Sequence, residues 1–232
     1  MELNIVQVIA IYAIPVVLAI TLHEAAHGYI AMRFGDMTAY AAGRVSLNPI
    51  KHIDPVGTVA LPLVLLAVAK LAGGGGMLFG WAKPVPVNFA NLRHPKKDMF
   101  WVAAAGPLSN LAMALAWALV AKISLSVPQS YFALPLALTG AAGVFVNLIF
   151  VVLNLLPLPP LDGGRMLLSL LPHRYAYKLA RIEPYGFPIL LLLIVTPVLS
   201  FVLWPVVSGA LWMVQKSLDV PLIELIRMAR TS

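Results

Sequence analysis

The first long apolar segment, residues 5–30, carries ionisable side chains where a membrane-spanning helix normally has none. It is long enough to cross a bilayer, and its one formally charged residue is Glu24, with His23 before it and His27 after it. An ionisable group in hydrocarbon costs about 2.5 kcal/mol or more unless it is paired, neutral or bound to a metal. Two surface histidines on a soluble helix would need a water-facing side, which this segment lacks. These side chains therefore indicate a functional site.

The spacing of these residues is that of a metal site on a helix. Residues four apart lie on one face of an α-helix, so His23 and His27 can present ring nitrogens to one ion while Glu24 lies beside them. Zinc peptidases use this His-Glu-x-x-His pattern. The chain has no cysteine, so further metal ligands must come from His, Asp, Glu or Asn.

The composition is that of an integral membrane protein. Of the 232 residues, 61% are hydrophobic and 11% are charged, and the mean hydropathy is +0.91, far more apolar than an average soluble domain. The length predicts a single membrane-embedded domain over residues 1–232, with a catalytic core at about 5–170 and C-terminal helices and a tail at about 186–232. The net charge of +7 does not indicate nucleic acid, because Lys and Arg cluster between apolar segments.

The apolar segments predict an all-α polytopic protein with about four to six transmembrane helices. Residues 5–30, 99–121 and 131–156 are predicted spans, the second interrupted at Gly106-Pro107. Residues 186–214 form one bent span or two shorter pieces, and the tail from Lys216 is expected to lie on the membrane surface as a basic amphipathic helix. The charge flanking residues 5–30 places the N-terminus outside and the following loop in the cytoplasm.

A second polar stretch, residues 154–165, suggests the third metal ligand. It begins at Asn154, its prolines end a helix, and Asp162 is the acid that lies in apolar sequence. A catalytic zinc takes three protein ligands and one open position, so Asp162 is predicted to join the two histidines. His52 and Asp54 are interpreted as loop-stabilising side chains instead of ligands.

The predicted site also constrains the path of the chain. If His23 and Asp162 meet, an even number of crossings lies between them, so residues 56–72 should not cross. Residues 80–88 contain prolines that exclude a helix and an alternation that suits an extended edge or a short membrane-associated β-hairpin.

Both polar stretches resemble the motifs of the site-2 protease family of intramembrane metalloproteases. The family patterns H-E-x-x-H and N-x-x-P-x-x-x-x-D-G match residues 23–27 and 154–163, and Gly106-Pro107 followed by Asn110 looks like its intervening element. The resemblance implies one Zn²⁺ per chain held by His23, His27 and Asp162. It also implies a β-hairpin near residues 80–88 and the short prokaryotic subgroup without a PDZ domain.

The activity that the resemblance implies is cleavage of transmembrane protein substrates within the lipid bilayer. In this reading Glu24 is the general base and Asn154 hydrogen-bonds the substrate backbone or the developing oxyanion. The protein would be a multi-pass protein of the cell membrane with its active site toward the cytoplasm, and no pattern in the sequence specifies an oligomer. A cation or proton transporter is the alternative, but it predicts inverted repeats and further intramembrane charges, which the sequence lacks.

Overall fold

The computed structural model describes residues 3–60, residue 64 and residues 82–230, and this part of the chain is helical without β-strands. The α-helices, numbered in chain order, are α1 (Ile5–Arg33), α2 (Thr38–Ala41), α3 (Pro95–Leu125), α4 (Ala133–Asn154), α5 (Asp162–Leu170), α6 (His173–Ala180), α7 (Glu183–Val195), α8 (Pro197–Leu218) and α9 (Leu222–Arg230). Shorter helical turns are a 3₁₀ turn at Pro49–His52, a π-helical turn at Pro55–Ala60 and a 3₁₀ turn at Phe89–Asn91.

Four of the described helices, α1, α3, α4 and α8, are long and apolar enough to cross a membrane. This confirms a polytopic all-α protein. The segment predicted as one bent span or two pieces is two helices, because the chain leaves helical geometry at Thr196, immediately before Pro197.

The predicted interruption at Gly106-Pro107 is wrong, since α3 runs without a break from Pro95 to Leu125. Pro107 removes one backbone donor, but a helix inside a bundle tolerates this loss when neighbouring groups satisfy the freed carbonyls. Close by, the Ser109 hydroxyl donates to the Gly106 carbonyl at 2.7 Å. The pair therefore does not form a gap in the helix.

The main hydrophobic core lies toward the N-terminal end of α1. Small residues let α3 and α4 approach closely there, as Ala118, Ala121, Ala137 and Ala141 are fully buried. Leu3 and Ile11 of the N-terminal region join the same core.

The tail forms the predicted amphipathic helix, α9, but its apolar face does not lie in the membrane surface. Leu222, Leu225, Ile226 and Ala229 are buried in the main core, beside the N-terminal region of α1. Burying that face against protein removes it from both water and lipid, so α9 closes the end of the bundle.

The two flanks of residues 56–72 lie on the same side of the bundle. The Lys83 backbone N–H donates to the His52 carbonyl at 2.9 Å, so the chain returns at Lys83 to the place it left at His52. This agrees with the parity expectation, although most of residues 56–72 lies outside the described residues. Of the predicted β-hairpin, Gly80 and Trp81 are also outside the described residues, and residues 82–88 do not form a β-strand.

Asp36, in the loop after α1, ties residues 88–91 to the end of that helix. Its carboxylate accepts from the Asn88 backbone N–H at 2.7 Å, the Asn91 amide at 3.2 Å and the Thr38 hydroxyl at 2.5 Å. Asp36 is fully buried. Burial raises the pKa of its carboxyl, but these hydrogen bonds outweigh it and hold the pKa below its usual value. The ionised side chain thereby fixes the segment that passes beside the site.

Candidate metal centre

Three ligand-type side chains meet inside the bundle, on α1 and at the start of α5. His23 Nε2 lies 3.2 Å from Asp162 Oδ2, and His27 Nε2 lies 3.3 Å from Asp162 Oδ1. The two Nε2 atoms are 3.1 Å apart. His23 and Asp162 are buried and His27 is half-buried. The structure thus brings together the three residues that the sequence proposed, from helices separated by two crossings.

Each imidazole is oriented by a hydrogen bond on its far nitrogen. His23 Nδ1–H donates to Asn110 Oδ1 at 2.6 Å, and His27 Nδ1–H donates to the Val102 backbone carbonyl at 2.7 Å. A carbonyl oxygen can only accept, so His27 carries its proton on Nδ1 in the neutral form. Its Nε2 lone pair therefore points toward the carboxylate, as a metal ligand requires.

The orientation of Asn110 follows from the groups on its other side. The Asn147 amide donates to the Gly143 carbonyl at 2.8 Å, which leaves Asn147 Oδ1 to accept from Asn110 Nδ2 at 2.9 Å. Asn110 Nδ2 also donates to the Ala19 carbonyl at 3.2 Å. Asn110 Oδ1 is thus the atom that faces His23, and His23 also carries its proton on Nδ1.

This arrangement fits a bound cation. With both imidazoles neutral, two Nε2 lone pairs and two carboxylate oxygens face one another, and groups that only accept repel unless a positive charge lies among them. Asp162 Oδ2 is buried and has no hydrogen-bond partner among the described residues, although His23 Nε2 is near it. Separations of 3.1–3.3 Å also suit two ligands of one tetrahedral zinc, which lie about 3.3 Å apart.

Gly106 explains why α3 can pass so close to the histidines. A Cβ at this position would lie 2.5 Å from His23 Cε1 and 2.5 Å from His27 Nε2. No side chain fits there without displacing the imidazoles. The glycine of the Gly106-Pro107 pair therefore shapes the site by packing, in place of the helix break that the sequence suggested.

Glu24 lies beside the ligand cluster and contacts the segment at residues 82–88. Its Oε2 accepts a hydrogen bond from the Val85 backbone N–H at 2.7 Å. The carboxylate and Val85 both line a cavity of about 150 Å³ that also contains the three ligand side chains. Glu24 is thus placed where a small molecule such as water meets the candidate metal position.

Asn154 lines the same cavity but makes no hydrogen bond to the three ligand-type side chains. Its amide donates to the Phe150 carbonyl one turn earlier at 3.0 Å. His52 and Asp54 are structural, as the sequence indicated. His52 Nε2 donates to the Ser46 carbonyl at 2.9 Å, and Asp54 Oδ1 accepts from two backbone N–H groups at the start of the next turn.

Sequence reasoning missed three groups that shape the site. The first is the Val102 carbonyl, which no side-chain pattern reveals. The second is Asn147. It lies seven residues before Asn154 and so on the same helix face, but this spacing alone indicates no function for it. The third is the Val85 N–H. Pro84 and Pro86 on either side were the sequence signal for it, because proline has no N–H and few backbone donors remain in this segment.

Several known proteins are similar to most of this chain. The profile of peptidase family M50 matches residues 123–196, which contain Asn154 and Asp162. YwhC of Bacillus subtilis, named as a candidate zinc metalloprotease, is 40% identical over 203 residues, which are 84% of this chain and 85% of YwhC. Rip2 of Mycolicibacterium smegmatis, named likewise, is 30% identical over 183 residues, 79% of this chain and 66% of Rip2. Rip2 of Mycobacterium tuberculosis strain H37Rv is 31% identical over 78% of this chain and 65% of its own length. No solved structure gives a significant match.

Proposed function

The chain belongs to peptidase family M50, the site-2 protease family, and on that premise we propose that it is an intramembrane protease that cleaves transmembrane segments of other membrane proteins. Membership makes it a zinc metalloendopeptidase. The position of the ligand cluster is the observation that supports cleavage within the membrane. His23 lies within α1, one of four described helices with the length and apolarity of membrane spans, which supports a reaction centre at a depth where transmembrane helices would be its neighbours.

In this proposal His23, His27 and Asp162 hold one Zn²⁺. When bound, zinc polarises the scissile carbonyl and lowers the pKa of a water molecule to about 7. Asn110 and the Val102 carbonyl hold the two imidazoles in the tautomer that directs Nε2 inward. Three protein ligands would leave a bound Zn²⁺ able to take up a water molecule or the substrate as well.

Glu24 serves as the general base and acid. Its carboxylate takes a proton from the attacking water and returns it to the departing amine. It is the acid that lines the cavity without belonging to the ligand cluster. Asn154, which lines the same cavity, is proposed to turn its amide from the Phe150 carbonyl toward the carbonyl oxygen of the substrate.

The substrate must be extended at the cleaved bond, because a helix shields its own carbonyl groups. Residues 82–88 form neither a helix nor a strand, and Lys83 and Val85 each precede a proline, which favours extended backbone at those residues. Pro84, Val85 and Val87 line the cavity beside Glu24. We propose that an unwound stretch of the substrate lies along this segment by strand addition. The prolines restrict the segment to few donors, so its carbonyl oxygens are expected to supply most of the bonds.

The distribution of charge supports a cytoplasmic position for the site. The Arg93 N–H donates to the Phe34 carbonyl, so α3 begins where α1 ends. Eleven of the sixteen Lys and Arg lie at this end, in the loops, the short helices and the adjoining turns of α1 and α3: Arg33, Arg44, Lys51, Lys83, Arg93, Lys96, Lys97, Arg165, Arg174, Lys178 and Arg181. The positive-inside rule then places this end in the cytoplasm of a cell membrane.

The direct test is Glu24→Gln in the full chain, reconstituted into lipid vesicles with a transmembrane substrate. We expect a folded protein that keeps its zinc and loses at least 100-fold in cleavage rate, as loss of a general base does. The matched control is Glu224→Gln on α9, an exposed residue at the other end of the bundle, which should cleave at the wild-type rate. Undiminished cleavage by Glu24→Gln contradicts the proposed mechanism. Cleavage of soluble peptides but of no membrane-inserted substrate contradicts the intramembrane proposal.

A further inference from the structure

The hydrogen bond between Val85 and Glu24 joins the proposed base to a backbone group of the segment at residues 82–88. Val85 N–H donates to Glu24 Oε2 at 2.7 Å, while Glu24 Oε1 makes no hydrogen bond within the described part of the chain. An N–H bond to a carboxylate is charge-assisted and stronger than one between neutral groups. It holds one oxygen and leaves the other for proton transfer.

The segment has few other N–H groups that can reach the site. Pro84 and Pro86 have none. The Lys83 N–H donates to the His52 carbonyl at 2.9 Å, and the Asn88 N–H donates to Asp36 at 2.7 Å. Val85 N–H thus lies between two anchored ends, directed at α1.

The position of Val85 is fixed by packing as well as by hydrogen bonds. Its side chain is 8% exposed, and a Cβ on Gly28 would lie 3.0 Å from Val85 Cγ1. Gly28 is one turn after Glu24 on the same face of α1, so the glycine makes room for Val85 beside the carboxylate. Arg44 holds the preceding peptide, since its guanidinium donates to the Lys83 carbonyl at 2.7 Å.

We propose that the Val85 backbone N–H is a positioning group for Glu24, which fixes the carboxylate of the general base relative to the segment along which the substrate lies. This inference rests on the proposed function of Glu24. The hydrogen bond fixes Glu24 relative to residues 82–88. A substrate strand that binds along this segment is therefore held at a fixed position relative to the base. The Val85 side chain fixes the position of the peptide by packing, whereas the Val85 N–H orients Glu24 through its hydrogen bond.

The test compares Val85→Pro, which removes the N–H, with Val85→Ala, which keeps it and shortens the side chain. Proline suits this position because Val85 lies outside helices and strands, has prolines on both sides and precedes Pro86, which favours extended backbone there. Both variants are prepared as the full chain in lipid vesicles with a transmembrane substrate. The measurements are kcat, KM, zinc content and the thermal unfolding midpoint.

We expect Val85→Pro to lower kcat by roughly 10- to 100-fold, the range for loss of a hydrogen bond to a charged group. Its KM should stay within about twofold, because uniform binding of the substrate is retained. Zinc content should equal that of the wild type, and Val85→Ala should keep kcat within about threefold. A role in anchoring the loop alone would instead change KM or the unfolding midpoint and leave kcat unchanged, and that result overturns the proposal.

A second variant covers the case in which Val85→Pro does not fold. Replacing residue 85 by the corresponding α-hydroxy acid exchanges the N–H for an ester oxygen and keeps the side chain, and the same loss of kcat is expected. Wild-type kcat in this ester variant contradicts the proposal.

Glu24→Gln distinguishes failure of the positioning role of Val85 from failure of the proposed function of Glu24. If it is inactive while the ester variant is fully active, only the positioning role fails, and if it is active, the proposed function of Glu24 fails together with the inference.

Discussion

His23 Nδ1 and Asn110 Oδ1 lie 2.6 Å apart in the buried interior of the bundle, and this bond sets which ring nitrogen of His23 faces the ligand cluster. Asn110 and Asn147 are both fully buried and hydrogen-bonded to each other. Two carboxamides at this depth are costly unless they are hydrogen-bonded, and here their bonds to each other and to two backbone carbonyls direct Asn110 Oδ1 at one imidazole.

Replacing Asn110 with leucine should weaken zinc binding. The variant leaves His23 Nδ1 without an acceptor, so the ring can rotate or change tautomer, and loss of such a partner typically lowers metal affinity 10- to 100-fold. Chelator competition on the purified protein measures the change. Thr139→Val is the control, since its hydroxyl also donates to a backbone carbonyl of α4, that of Pro135, but Thr139 is only half-buried and this bond does not involve the ligand cluster. Equal zinc affinity in both variants would show that His23 is oriented without Asn110.

Asp162→Asn should abolish tight zinc binding while the fold is kept. An amide replaces a carboxylate in the cluster, so the charge that offsets the cation is lost. Metal analysis after dialysis measures the zinc bound per chain. Asp219→Asn is the matched control, because Asp219 ends α8 in a left-handed conformation (φ 53°) that asparagine also adopts. Stoichiometric zinc in Asp162→Asn would remove Asp162 from the ligand set.

Gly106→Ala should inactivate the enzyme through packing alone. The added Cβ would overlap both imidazoles at 2.5 Å, so they must move away from Asp162. We expect at least a tenfold loss of zinc affinity with helix content unchanged by circular dichroism. Gly209→Ala on α8 adds the same methyl group with nothing within 4 Å and should behave as the wild type. Full zinc binding by Gly106→Ala would mean that α3 can shift outward.

Asp36 should make stability depend on pH in the acidic range. Its pKa is lower in the folded protein than the usual value near 3.8, so its stabilising contribution is complete above that value. The contribution is lost as the pH falls through the folded pKa. Asp36→Asn should lower stability by about 2 kcal/mol at pH 7, because an ionised acceptor of several hydrogen bonds is lost. The gap between the unfolding midpoints of wild type and variant should narrow below pH 4, and a gap that widens there would contradict this assignment.

The spans and the ligand cluster were predictable from local sequence. Hydropathy identified α1, α3 and α4, because a membrane-spanning helix needs about 20 apolar residues and little else. The meeting of His23, His27 and Asp162 was predictable because ionisable groups in apolar sequence are few. The helix break predicted at Gly106-Pro107 was wrong, since this pair lies in a continuous helix. The predicted membrane-surface position of the tail helix was also wrong, because protein covers its apolar face. A hydrophobic face in the sequence does not show whether protein or lipid will cover it.

The sequence by itself determined that this is a membrane protein with His23, Glu24 and His27 on one helix face, because hydropathy and helical period act over neighbouring residues. Only the tertiary structure decided which distant groups complete the site. Asn147 acts on His23 through Asn110, and Val85 reaches Glu24 through a backbone N–H that has no side-chain signature. Such contacts join residues tens of positions apart, and their geometry depends on how closely the helices pack, which no local pattern records.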